Sequence, residues 1–171
     1  MTETHSDDWD ARVAHIWDEA PDLADDELMR LIVAIAAERP ANDPAALFEL
    51  ASAHDSTGQE FAAEPLYRQA MAGDLDEIRR FRAIIQFSST LRNVGKLEES
   101  AELLTKAHEA GSNPITGDAG SAFLALTLIE LGREREVALV VLRALIPHLP
   151  RYHRSMNAYV DALERPDSRD S

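Results

Sequence analysis

The chain has 171 residues, 45% of them apolar and 28% charged, with a formal net charge of −14. That composition suits a globular chain and disfavours nucleic acid or an anionic membrane as a partner. There is no cysteine, which excludes disulfides, thiolate catalysis and Cys-ligated zinc.

No apolar run approaches the ~18 residues of a membrane span. The acidic start, Met1 to Asp8, is the opposite of a signal peptide. The sequence therefore reads as cytoplasmic. The charge is uneven: residues 1–60 carry −12 and the rest −2. Fifteen arginines stand against two lysines, a bias expected of a GC-rich bacterial genome.

In chain order, the first predicted helix spans 7–19, with Trp9, Val13, Ile16 and Trp17 on one face. The second spans 25–39 and repeats that pattern with Leu28, Leu31, Ile32 and Ile35. Its first turn carries Asp25, Asp26 and Glu27, where the helix dipole favours acids. Pro40 and Pro44 punctuate the chain next. Three helical hairpins then follow at about 43–72, 77–110 and 118–147. Pro150 ends them, and an amphipathic helix over 151–164 carries Tyr152, Met156, Tyr159, Val160 and Leu163. The organisation expected is an N-terminal acidic helical pair over 1–40, a repeat domain over 43–164 and a disordered tail over 165–171.

The hairpins rest on an internal register. Gly58, Gly95 and Gly132 stand 37 residues apart. Eight before each glycine come Leu50, Phe87 and Leu124, and seven before come Ala51, Ser88 and Ala125. Four before come His54, Leu91 and Leu128. Five after come Ala63, Ser100 and Val137; nine after come Tyr67, Leu104 and Val141; twelve after come Ala70, Ala107 and Ala144. Large apolar residues at helical spacing make a buried face, and small ones let a neighbouring helix approach. A glycine takes the left-handed conformation that ends the first helix. One hairpin cannot bury both its faces, so neighbours stack.

This pattern resembles the tetratricopeptide repeat, with Leu47, Leu50-Ala51, Gly58, Ala63, Tyr67 and Ala70 matching best. The second and third units keep the spacing with weaker identities, such as Ser121 and Val137. The stretches 47–56 and 89–95 resemble a group of small bacterial tetratricopeptide proteins, and that resemblance implies a homodimer. The fold it implies is all-α: a right-handed superhelical array of αα-hairpins, with three repeats, two N-terminal helices and one C-terminal capping helix.

Chemistry is not visible in the pattern. There is no Gly-rich phosphate loop, His-Glu-x-x-His or Gly-x-Ser-x-Gly. His5 and His15 lie near Asp7, Asp8 and Asp10, but a separation of ten fits no common metal-ligand spacing. His54 reads as packed, not as a base. Glu98, Glu99 and Glu102 belong to a helix start. His148 and His153 flank the Pro150 turn and read as surface residues or a pH-sensitive contact. Neither an enzyme nor a cofactor is expected.

In the family resembled, the first helix of each hairpin lines a concave groove that binds a partner. Carried over by offset, the groove residues are Phe48, Ser52 and Asp55 in the first unit. In the second they are Ile85, Ser89 and Arg92, flanked by Arg82, Gln86 and Asn93, and in the third Ala122, Leu126 and Ile129, with Phe123 beside them. Groove members that clamp a chain-terminal carboxylate use Lys and Asn where this chain has Phe48 and Ser52, which argues against that recognition. Arg79, Arg80, Arg82 and Arg92 concentrate positive charge on one helix of an acidic chain. That charge either grips an acidic peptide or offsets neighbours such as Asp76 and Glu77. The helix over 118–131 is apolar almost all round and needs a cover, whether from the chain itself, a second subunit or a ligand. The expected function is a self-associating protein-interaction scaffold. The alternative is a groove receptor for a small peptide or metabolite.

Overall fold

The structure is a computed structural model that describes residues 3–165, with side chains from Asp8 onward. The side chain of His5 and residues 166–171 of the expected tail lie outside the described residues. Among the described residues there are nine α-helices and no strand. They are α1 Glu3–Glu19, α2 Asp25–Ala36, α3 Pro44–Ser56, α4 Glu60–Ala72, α5 Glu77–Asn93, α6 Leu97–Glu109, α7 Ala119–Glu130, α8 Glu134–Leu145 and α9 His153–Glu164. The chain divides into two compact units, residues 1–94 and 95–171.

Local chemistry sets the helix boundaries. Asp43 and Asp76 precede α3 and α5, and their carboxylates accept the backbone N–H of Ala46 and of Arg79 at 2.9 Å. Each carboxylate satisfies a donor that the first helical turn leaves unpaired. Pro44 follows Asp43 at a position where its missing N–H costs nothing. The three register glycines all have positive φ, +71° at Gly58, +80° at Gly95 and +68° at Gly132. In that conformation Gln59 returns its N–H to His54 and Arg133 its N–H to Leu128, closing α3 and α7.

In the first unit, α1 and α2 form an antiparallel pair that packs on α3. Trp9 and Val13 meet Ile35, Ala36 and Ala46. Further along, Leu28, Ile32 and Ala53 are buried together against Ile16, Trp17 and Leu50. The Trp9 indole donates to the carbonyl of Ile35 at 2.9 Å, so the large ring is buried without stranding its N–H. Helix α3 ends up covered almost all round: Ala46, Leu47, Phe48, Glu49, Ala51, Ser52 and Ala53 are all buried. Tyr67 of α4 is fully buried, its ring 6.1 Å from Phe48 and 5.9 Å from Phe87 of α5. Its hydroxyl reaches Ser52 and Gln86, and burial raises its pKa well above the usual phenol range.

A charged cluster ties three helices together in this unit. Glu49 is buried on α3, and its two oxygens accept from the Trp17 indole of α1 at 2.7 Å and from Arg79 Nε of α5 at 2.8 Å. The same guanidinium reaches Asp76 at 2.8 Å and Asp10 of α1 at 2.7 Å. Burial alone would lower the Arg79 pKa, but these carboxylates outweigh it. Burial would likewise raise Asp76. The backbone and side chain of Arg79 hold it below the ordinary carboxylate range instead. Arg39 and Arg79 also sit over the Trp9 ring, at 4.0 Å and 5.3 Å.

The second unit is built on α6, α7, α8 and α9. Its core holds Ala101, Leu104, Leu124, Ala125, Leu128, Val140, Ile146 and Val160. The hydroxyls of Ser100 and Thr127 meet at 3.2 Å inside it. His108 bonds Ser121 at 2.8 Å. Arg143 of α8 fixes α9 by reaching Asn157, Asp161 and Glu164, while Arg135 donates to the carbonyl of Leu163.

Removing one partner of a buried ion pair leaves an uncompensated charge. Arg79→Ala is expected to destabilise the chain by about 3–5 kcal/mol in urea unfolding, because Glu49 stays buried. The double variant Arg79→Met, Glu49→Leu is expected to recover part of that loss.

Candidate functional site

The helices that open each hairpin, α3, α5 and α7, carry the candidate contact residues. Burial on each follows from what packs beside it. On α3, Phe48 and Ser52 are 3% and 5% exposed. The expectation that they face a groove is corrected: α3 is enclosed by α1, α2, α4 and α5, so its outward offsets point into neighbouring helices. Phe48 stacks on Tyr67, and Ser52 takes the tyrosine hydroxyl at 3.3 Å. Of the three α3 positions, only Asp55 is partly exposed. Thr90 of α5 donates to it at 2.9 Å. Burial raises the Asp55 pKa, and the Thr90 hydrogen bond and the nearby Glu60 act against and with that shift respectively.

On α5 the predicted residues share one face at helical spacing. Arg82 and Asn93 are exposed, and Ile85, Gln86, Ser89 and Arg92 are partly buried. Gln86 is committed inward, accepting from Ser52 at 3.2 Å. Arg92 Nη2 donates to the side-chain oxygen of its neighbour Asn93, whose own amide reaches Glu60. The four arginines of this helix do not act as one patch. Arg79 is spent on the buried cluster, Arg80 donates to the carbonyl of Gly73, and Arg82 points to solvent with no partner among the described residues.

On α7, Gly120, Ser121, Leu124, Ala125, Thr127 and Leu128 are buried. Leu126 and Ile129 are 46% and 56% exposed, and Phe123 lies partly buried beside them. The terminal helix α9 packs on α8 and does not cover this pair. The expected need for a cover is thus unmet within the second unit.

The histidines serve local bonds. His54 Nδ1 meets the Gln59 side chain at 3.2 Å at the rim of α3. His148 pairs with Asp118 at the start of α7 at 2.8 Å, and His153 bonds the carbonyl of Leu149. No group of three or more His, Asp or Glu able to hold a metal occurs among the described residues. No helix among them is long and apolar enough to cross a membrane.

Two features escaped sequence reasoning. The Arg79–Glu49–Asp10 cluster joins residues up to 69 positions apart, and no local spacing announces it. The second is Val141, which occupies the register position of Tyr67 and Leu104. Those two are fully buried, whereas Val141 is 45% exposed.

A family model described as Tetratrico peptide repeat matches residues 44–163. No curated protein and no solved structure gives a significant match to the chain.

Asp55 titrates higher in the folded chain than in the unfolded one, so its ionisation opposes folding. That penalty is absent well below the ordinary aspartate value of about 3.9 and grows as pH rises through the folded-state value. Asp55→Asn keeps an oxygen for Thr90 and removes the penalty. Its stability gain over wild type, read by urea unfolding at a series of pH values, is expected to rise from pH ~4 toward neutrality.

Proposed function

We propose that this chain, which belongs to the tetratricopeptide repeat family over residues 44–163, is a non-catalytic scaffold that holds a protein on its hairpin-opening helices. Repeats of this family generally mediate protein–protein interaction and are not generally catalytic. Residues 43–164 carry the contact surface in this reading, and residues 1–40 close its beginning.

One observation carries the proposal. Leu126 and Ile129 stand exposed on α7, a helix whose other large aliphatic side chains are buried. They occupy the offsets at which the family's first helices present a partner surface. Paired apolar residues of this kind supply the desolvated centre of an interface. We assign this face to self-association.

The α5 face adds charge. Arg82 is exposed and has Ile85 and Ser89 one and two turns along the same face, with Arg92 and Asn93 at its end. A guanidinium in an acidic chain selects a carboxylate-bearing segment over a basic one. Arg82 is the chief residue offered to an acidic peptide, since Arg79 is occupied by Asp10, Glu49 and Asp76.

The pair Leu126→Ser and Ile129→Ser is expected to leave urea stability within about 0.5 kcal/mol, as for surface positions. The same pair should convert a dimer, read by sedimentation velocity, to monomer. A wild-type chain that is monomeric at every concentration would remove the self-association reading. Separately, Arg82→Glu is expected to weaken an acidic peptide by roughly tenfold in fluorescence anisotropy, with a smaller effect at high salt.

A further inference from the structure

The third hairpin leaves open a seam that the earlier register positions close. Nine residues after the register glycine stand Tyr67, Leu104 and Val141. In the first unit this position is buried because the next hairpin-opening helix is laid against it: Phe87 of α5 comes within 5.9 Å of the Tyr67 ring and Gln86 meets its hydroxyl. Leu104 on α6 is equally buried.

Helix α9 follows α8 but is not seated on the equivalent face. Arg143 anchors it through Asn157, Asp161 and Glu164, and Val160 supplies its fully buried contact. The register face of α8 is left half exposed, with Val141 at 45% and Leu145 at 48% exposure and Ala138 exposed between turns. Ala138, Val141 and Leu145 are three and four residues apart and form one stripe. Glu134 lies at the head of the stripe, exposed and with no partner among the described residues.

We propose that this stripe of α8 is a docking site for one amphipathic, basic α-helix of a partner protein, laid where a fourth hairpin would place its opening helix. The shape follows from continuity with an interface that the chain already builds. The same register face takes a helix with a large apolar residue followed by a small one, Phe87-Ser88, against Tyr67. The charge follows from the exposed carboxylate of Glu134 at the head of the stripe. The site is separate from the α7 face assigned above to self-association, so either assignment can fail alone.

The experiment uses the full chain and a defined probe, a fluorescein-labelled peptide of residues 77–93 from this sequence, which is amphipathic and basic and carries Phe87-Ser88. Saturable 1:1 binding in anisotropy is expected. Val141→Asp should weaken it at least tenfold, Val141→Ser less, and Leu126→Ser not at all. Circular dichroism of each variant should match wild type, because Val141 is half exposed. Absence of binding, or binding that Val141→Asp leaves unchanged, would overturn the proposal. So would a wild-type dimer that Val141→Asp splits, since the seam would then belong to a second copy.

Discussion

An αα-hairpin made from these residues has more than one apolar face and can bury only part of that surface by itself. The rest of the molecule follows from that constraint. At the position nine after each register glycine, Tyr67 and Leu104 are fully buried, whereas Val141, past which no further hairpin-opening helix is laid, is half exposed. At the start of the first unit, α1 and α2 meet the constraint from the other side. Trp9, Val13, Ile16 and Trp17 line the inner face of α1, while Ala11, Arg12, Ala14, His15, Asp18 and Glu19 face water.

Much of the fold was legible because the repeat period and the helix period agree. Large residues eight before each glycine, small ones seven before and a left-handed glycine each make a local demand that only a hairpin satisfies. The observed helices follow the expected boundaries within a few residues. The family match over residues 44–163 covers the same stretch from which the register was read.

The contact surface was legible only in part. Offsets report which side of a helix faces its own hairpin, but not how many other helices enclose it. Phe48 and Ser52 stand at outward offsets, and the enclosure of α3 by its neighbours buries both. Leu126 and Ile129 sit at matching offsets on α7, which has fewer neighbours, and they stay exposed. Arginine content misled for a similar reason. Four arginines on α5 look alike in sequence, yet the buried Glu49 captures Arg79 alone because the start of α5 lies beside α3 and α1. A buried carboxylate paired in this way is strongly coupled to its partner, whereas an exposed pair such as Arg30–Glu27 contributes little.

The charged cluster also changes how the first unit should open in time. In a linear stack each element depends on its neighbours, and separate pieces open independently. Asp10, Glu49 and Arg79 link α1 directly to α5 across most of the first unit. No segment between them can loosen without either breaking that link or working around it. In the second unit, α9 is held to α8 by charges at the surface, Arg143 with Asp161 and Glu164. The first unit is therefore built to open as a single cooperative block, and the second to fray inward from its last helix.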